Sequence, residues 1–206
     1  MKLFEAIKKV LLKEAPELGD ASPKSASVSY IDHRYKLNPD YASGDVVTET
    51  PTHRVTVTHS DGNFEWSRQY IKHKIDNPKS IDLRMDFSDH KMHTPSGDKS
   101  GTYASVIVKH HTNRNPEYQT LKSVYDRELN NKDYLISDSM QHEGGVATWK
   151  RLASDYLNSG KHVYLKDGNE FKKLDSVDYL NAHHDSIWGY GHSFASKRIV
   201  VSNSVL

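Results

Sequence analysis

Residues 129–154 read LNNKDYLISDSMQHEGGVATWKRLAS, and the apolar pattern changes its period halfway along this stretch. Tyr134, Leu135 and Ile136 form a short apolar run, which is typical of a buried strand. Gly144-Gly145 then begins a segment whose apolar side chains recur at three- and four-residue spacing, which predicts an amphipathic helix. That helix would carry Val146, Trp149, Leu152, Ala153, Tyr156 and Leu157 on one face, and Asn158-Ser159-Gly160 would end it.

Related signals lie on both sides of this stretch. Asn115-Pro116 fits an N-cap followed by proline at the first helical position, and helical spacing continues through Leu121, Val124, Tyr125 and Leu129. Short apolar runs at 163–165 and 199–201 predict two further strands, with an irregular segment at 175–194 between them. From residue 102 onward the predicted order is strand, helix, strand, helix, strand, irregular segment, strand.

The first half of the chain predicts an antiparallel meander. Residues 54–59 and 81–87 alternate apolar and polar side chains, and residues 60–63 (SDGN) are a turn signal. Residues 28–31 predict a further short strand, and Phe64, Trp66 and Tyr70 continue the pattern after the turn, which predicts a hairpin with residues 54–59. A polar stretch, Ser88 to Ser100, follows residues 81–87, and the next strand carries Val106 and Val108 and ends in His110-His111.

The N-terminal region has a different composition. Residues 1–15 (MKLFEAIKKVLLKEA) predict a short amphipathic leader with a basic side, since apolar residues recur at three- and four-residue spacing with lysines between them. Residues 16–27 (PELGDASPKSAS) are typical of a linker. We therefore expect one domain over residues 28–206.

Bulk composition limits the classes of function. The chain has 206 residues, with 28 lysines and arginines against 27 aspartates and glutamates, so it carries no strong nucleic-acid signal. It has no cysteine, which excludes disulfides, thiolate catalysis and cysteine-ligated metals. No apolar run is long enough to span a bilayer, and we expect no secretory signal.

The predicted order of elements resembles the core of the acyl-CoA N-acetyltransferase (GNAT) family. The match covers residues 102–166, and residues 129–154 are similar to a pattern in divergent GNAT-like proteins of tailed phages. The resemblance implies an α/β (α+β) fold, with a mixed, mostly antiparallel central sheet and two helices in the C-terminal half. It also implies that the strand before the first helix runs into a loop and helix that hold the CoA pyrophosphate.

The resemblance assigns cofactor binding to the segment NRNPEYQ, and it differs from the family there. The candidate residues are Asn113, Arg114, Asn115, Tyr118 and Gln119. The family's phosphate loop reads Arg/Gln-x-x-Gly-x-Gly/Ala, whereas this segment has no glycine, Pro116 lacks an N–H, and Glu117 adds a negative charge. We therefore expect weak or absent use of acetyl-CoA, and no other cofactor.

Catalytic candidates follow from the same resemblance. His110, His111 and Asp138 are the candidates for a base that deprotonates an amine substrate. The family's general-acid tyrosine aligns with Trp149, which we expect in the core, and Tyr156 is a candidate substitute two turns later. Paired histidines could bind a metal, but their spacing is not that of two ligands on one face of a helix. We therefore expect no metal.

The leader carries a second resemblance. Leu12-Lys13-Glu14 followed by Ala15 is similar to the aliphatic-x-Glu site that prohead proteases of large tailed phages cut, and residues 1–15 resemble their capsid-targeting peptides. This resemblance implies a capsid or prohead protease as partner. It also implies a location in the virion interior and then in the host cytoplasm; without it, a cytoplasmic location is expected.

Three functions remain open at this point. The chain is a GNAT-like protein that is delivered to the host and acts by binding a host protein, or an active GNAT-type acyltransferase with a small amine substrate, or a structural internal head component. Whether it is an enzyme stays undecided, because fold does not determine function.

Overall fold

The computed structural model describes residues 38–60, 66–109, 114–137, 143–183, 187 and 197–206. The strands in these ranges are β1 (Asp45–Glu49), β2 (His53–His59), β3 (Arg68–Lys74), β4 (Ile81–Thr94), β5 (Gly97–Lys109), β6 (Tyr134–Ile136), β7 (His162–Asp167), β8 (Glu170–Leu174) and β9 (Lys197–Ser202). The helices are α1 (Arg114–Asn130), α2 (Glu143–Asn158) and the five-residue α3 (Asp178–Ala182), and a 3₁₀ turn covers Tyr41–Ser43.

The described strands form one mostly antiparallel sheet in the order β1-β2-β3-β4-β5-β6-β9-β7-β8. The first five strands are neighbours both in sequence and in the sheet. The pair β5 and β6 is parallel, and α1 connects these two strands. The last strand, β9, lies between β6 and β7 and is antiparallel to both. The α+β class is confirmed, and the helices lie in the C-terminal half.

The polar stretch Ser88–Ser100 is part of a long β-hairpin rather than a connection between strands. It contains the end of β4 and the start of β5, which are paired from Leu83 and Lys109 out to Thr94 and Gly97. Between Ser88 and Ser100 the side chains of Met92 and Thr94 are buried, at 8% and 1% exposure, whereas most others are exposed. Because so little of the Ser88–Ser100 stretch is buried, this part of the two strands has no clear apolar alternation.

Helices α1 and α2 pack on one face of the sheet and form the main core with it. Buried side chains of β2, β3 and β4 meet Leu121, Val124, Tyr125 and Leu129 of α1. Trp149 of α2 is 1% exposed, and its ring lies 5.4 Å from that of Tyr125. The predicted core position of Trp149 is confirmed.

A smaller core lies on the opposite face of the C-terminal strands. It contains Met92, Tyr134, Ile136, Tyr164, Val200 and Leu206, with Tyr103 and Phe171 packed against it. In the described part of the chain, no helix combines the length and the apolar character that a membrane span requires.

Candidate functional site

An opening between β5 and β6 is the first candidate site. The two strands pair over only three positions, from Gly101 with Tyr134 to Tyr103 with Ile136. Beyond Tyr103, β5 stays paired with β4 as far as Lys109. Ser137, directly after β6, instead contacts β9, since its amide donates to the Ile199 carbonyl at 2.9 Å. The β6-facing edge of β5 is thus unpaired with β6 from Ala104 onward.

An irregularity in β5 lies at the start of this opening. Phe87 of β4 pairs with Ala104, but the preceding Asp86 pairs with Val106, so Ser105 is an additional residue in β5. A β-bulge of this kind bends its strand and increases the local twist. The bulge therefore helps to direct the end of β5 away from β6.

Helix α1 begins shortly after the end of β5. Its first residue is Arg114, so Asn115 lies inside the helix rather than at the N-cap, and Pro116 is the third residue. The first four N–H positions of a helix have no intrahelical partner and favour negative charge. Pro116 contributes no N–H, so this helix end offers one donor fewer than usual.

The described members of the predicted cofactor set lie in the first two turns of α1. Arg114 and Asn115 belong to the first turn, whereas Asn113 lies outside the described residues. Gln119 is exposed. Tyr118 is only 4% exposed, and its hydroxyl donates to Asp155 Oδ2 of α2 at 2.6 Å. Tyr118 thus joins the two helices, and the assignment of this set to a cofactor stays a prediction.

Of the predicted catalytic residues, Tyr156 is described. Its side chain is fully buried beside the Lys122–Asp126 ion pair of α1. Burial, and then the negative charge of Asp126, raise the pKa of Tyr156, so its hydroxyl stays protonated. His110, His111 and Asp138 lie outside the described residues, as do Leu12, Glu14 and Ala15 of the predicted processing site.

A buried ion network at the other end of α1 is a second candidate, which the sequence did not indicate. Glu128 is 3% exposed and accepts hydrogen bonds from three side chains of the sheet. Arg68 donates to both of its carboxylate oxygens, at 2.9 Å for the Nε–Oε1 pair and for the Nη2–Oε2 pair. Tyr70 donates to Oε1 at 2.7 Å, and Thr102 donates to Oε2 at 3.0 Å.

The network continues to the surface through Asp89. Its Oδ1 accepts from Arg68 Nη1 at 2.8 Å and lies 3.1 Å from Lys132 Nζ. Partial burial alone would raise the pKa of Asp89, but Arg68 and Lys132 outweigh it and hold that pKa below its usual value. For Tyr70, burial and the adjacent Glu128 carboxylate raise the pKa.

A cleft of about 210 Å³ adjoins this network. Besides Arg68, Tyr70 and Glu128, the cleft is lined by Val57, His59, Arg127, Asn131 and Lys132. Four hydrogen-bond donors already occupy the Glu128 oxygens. The carboxylate therefore has no acceptor position left for a proton in transfer. The network therefore serves to fix the C-terminal end of α1 to the sheet.

Several histidines in the described ranges have protein partners. His90 Nδ1 lies 2.5 Å from the Tyr134 hydroxyl, His93 pairs with Asp98, and the His183 ring stacks on Tyr179. Within the residues described, no three histidine, aspartate or glutamate side chains come together as a metal site.

Comparison with protein-family models gives no match, and comparison with curated proteins finds no significant relative.

Proposed function

We propose that this chain is a GNAT-like domain that acts by binding rather than by acyl transfer. The opening between β5 and β6, followed directly by α1, supports this proposal. In the family that the sequence resembles, the corresponding strand runs into the helix that holds the CoA pyrophosphate, and the next strand splays away. Among the described strands, this edge of β5 has no partner beyond Tyr103, and such an edge suits an extended ligand, which can form backbone hydrogen bonds with it.

The helix end beside this opening is a poor phosphate site. Pro116 lacks a donor, Glu117 brings a negative charge, and residues 113–119 contain no glycine to allow close backbone approach. Arg114 offsets this in part, since a guanidinium can donate two hydrogen bonds to a phosphate. The balance favours a dissociation constant for acetyl-CoA of about 1 mM or weaker.

The helices also offer no exposed phenol for proton transfer. The tyrosines of α1 and α2 are Tyr118, Tyr125 and Tyr156, and none is more than 4% exposed. Trp149, at the position that the resemblance aligns with the general acid, carries no acidic proton. An acyl transfer that needs a tyrosine to protonate the leaving thiolate would find no exposed one on these two helices.

Titration calorimetry with acetyl-CoA tests the proposal. We expect no binding heat with protein at about 50 μM, since that concentration is far below the expected dissociation constant. Glu117→Gln should not restore binding, because the absent glycines still keep the backbone away. Micromolar binding that is lost in Arg114→Ala but kept in Arg127→Ala, at the other end of α1, would instead favour an acyltransferase.

The alternative, an active acyltransferase, can be tested directly. Transfer to an amine releases the CoA thiol, and a thiol reagent detects it without background because the chain has no cysteine. His110, His111 and Asp138 are the candidate bases for this reaction. Turnover with any amine that falls at least tenfold in one of their alanine variants would make this alternative the better one.

The N-terminal sequence supports delivery from a phage particle as part of the proposal. Leu12-Lys13-Glu14-Ala15 stands at the end of the basic amphipathic leader and directly before the linker, where a targeting peptide would be removed. Mass spectrometry of assembled particles should find the chain beginning at Ala15. A purely structural head component would stay in the particle after infection, whereas a delivered protein would be recovered from the host cell.

A further inference from the structure

A pair of like charges lies on the face of the sheet opposite α1 and α2. Lys166 of β7 and Arg198 of β9 are direct cross-strand partners. Like charges directly opposite each other destabilise an antiparallel pair. Within the described residues, no carboxylate forms an ion pair with either one. Asp167, the neighbour of Lys166, lies 3.8 Å from Lys197 on the other face.

Aromatic side chains surround the two cations. The Arg198 guanidinium lies 5.3 Å from the centre of the Tyr103 ring, and Lys166 Nζ lies 5.6 Å from the centre of the Phe171 ring. All four of these side chains are half-buried. Lys166 also donates to the carbonyl of Gly168, which restricts the position of its ammonium group. The cations are thus held at a partly dry surface, where they attract an anion more strongly than in open water.

His90 closes one side of this cluster. Its ring lies 6.4 Å from the Tyr103 ring, and its Nδ1 is hydrogen-bonded to the Tyr134 hydroxyl. Burial, and then the charges of Arg198 and Lys166, lower the pKa of His90. Burial and Arg198 likewise lower the pKa of Lys166. Burial is the larger cause of both pKa shifts, the neighbouring cations add to it, and Asp167 acts in the opposite direction on Lys166. A bound anion would offset the part of the shifts that comes from the cations.

We propose that Lys166 and Arg198, with Tyr103 and Phe171 as walls, bind the phosphate group of a small molecule. Arginine binds phosphate oxygens through two parallel N–H donors, and lysine adds a point charge. Two adjacent cations match the double charge of a phosphate monoester better than the single charge of a carboxylate. Tyr103 is the last β5 residue that pairs with β6, so the site borders the opening described above. The proposal does not depend on acetyl-CoA.

Thermal unfolding in inorganic phosphate, against sodium chloride of equal ionic strength, tests the site. We expect phosphate to raise the Tm of the wild type by about 2–5 °C. Because phosphate also stabilises proteins by exclusion from their surface, the comparison between variants is the decisive measurement. Lys166→Ala and Arg198→Ala should lose most of the phosphate effect, and their Tm in chloride should equal or exceed that of the wild type, since the repulsion is gone.

Lys197→Ala is the matched control, because it removes one charge from the next position of β9 on the opposite face. It should keep the phosphate effect. An equal phosphate effect in all four proteins would overturn the proposal, and so would an equal loss in Lys197→Ala. A lower Tm of Arg198→Ala in chloride with an unchanged phosphate effect would show a structural role and would also overturn it.

The imidazole NMR signal of His90, identified with His90→Asn, gives a second readout. Phosphate should raise the pKa of His90, and Lys166→Ala should raise it without phosphate; no change in either case would contradict the site.

Adenosine monophosphate separates two sources of the same chemistry, since tighter binding than that of inorganic phosphate would show that the aromatic walls contact an ester. Preferential binding of an oligonucleotide would overturn the small-molecule assignment in favour of nucleic acid.

Discussion

Gly101 is a residue whose small size determines the neighbouring packing. It pairs with His90 of β4 on one side and with Tyr134 of β6 on the other, so the Tyr134 ring crosses over it to reach the histidine. A Cβ at Gly101 would overlap this ring. The glycine is needed here for close approach, and no other residue fits without displacing Tyr134.

We therefore expect Gly101→Ala to destabilise the protein by about 1–3 kcal/mol, the usual cost of overpacking a core. Urea denaturation measures the loss. Gly168→Ala is not a suitable control, because its positive φ of 55° adds backbone strain; Ser100→Ala, at an exposed neighbouring position, should change the free energy of unfolding by less than about 0.5 kcal/mol. An equally small effect of Gly101→Ala would mean that Tyr134 moves aside freely.

The two carboxylate partners of Arg68 allow a second prediction at this scale, because they differ in burial and because only Glu128 also accepts from Tyr70 and Thr102. The Glu128 side chain is 3% exposed and that of Asp89 is 54% exposed. Breaking a buried pair leaves an uncompensated charge, so Glu128→Ala should cost about 3–5 kcal/mol. Asp89→Ala should cost less than about 1 kcal/mol, as exposed ion pairs do. Similar losses in both variants, measured by urea denaturation, would contradict the network as described.

At the scale of secondary-structure elements, the sequence predicted the strands and helices that have one clearly apolar face. The strands β2, β4, β6, β7 and β9, parts of β3 and β5, and the helices α1 and α2 were recognised in this way. The strands β1 and β8 were missed, and they are the two outer strands of the described sheet. Most residues of β1 and β8 are exposed, so these edge strands carry no apolar alternation.

The candidate sites, too, could be predicted from the sequence only in part. The opening between β5 and β6 could be expected from the order of elements, because that order carries the resemblance. The Arg68–Glu128 network and the Lys166–Arg198 pair could not, since each joins residues more than thirty positions apart. Polar side chains show no period in the sequence, and only strand register brings them together.

Helix α2 depends on Trp149 for its attachment to α1 and the sheet. Trp149→Ala should cost about 3–5 kcal/mol, because it removes a large, fully packed aromatic side chain. Ala147→Ser, at an exposed position of the same helix, is the control and should cost less than about 1 kcal/mol. Chemical denaturation followed by circular dichroism compares the two. A loss below 1 kcal/mol for Trp149→Ala would contradict the packing of this helix.

At the scale of the whole molecule, the two ends of the chain should contribute differently to stability. The composition of residues 1–27 predicts a leader and a linker, so a protein that starts at Ala15 should melt within about 3 °C of the full chain.

At the other end, Leu206 is 5% exposed in the smaller core, and its amide is hydrogen-bonded to the Tyr164 hydroxyl at 3.2 Å. Removing only Val205 and Leu206 should therefore lower the Tm more than removing fourteen N-terminal residues does, since it exposes apolar surface and leaves a buried hydroxyl without its partner. Differential scanning calorimetry of the three proteins tests both halves of this expectation. Loss of the cooperative transition on N-terminal truncation would show that the leader belongs to the folded domain, and would remove the basis for treating it as a cleavable targeting peptide.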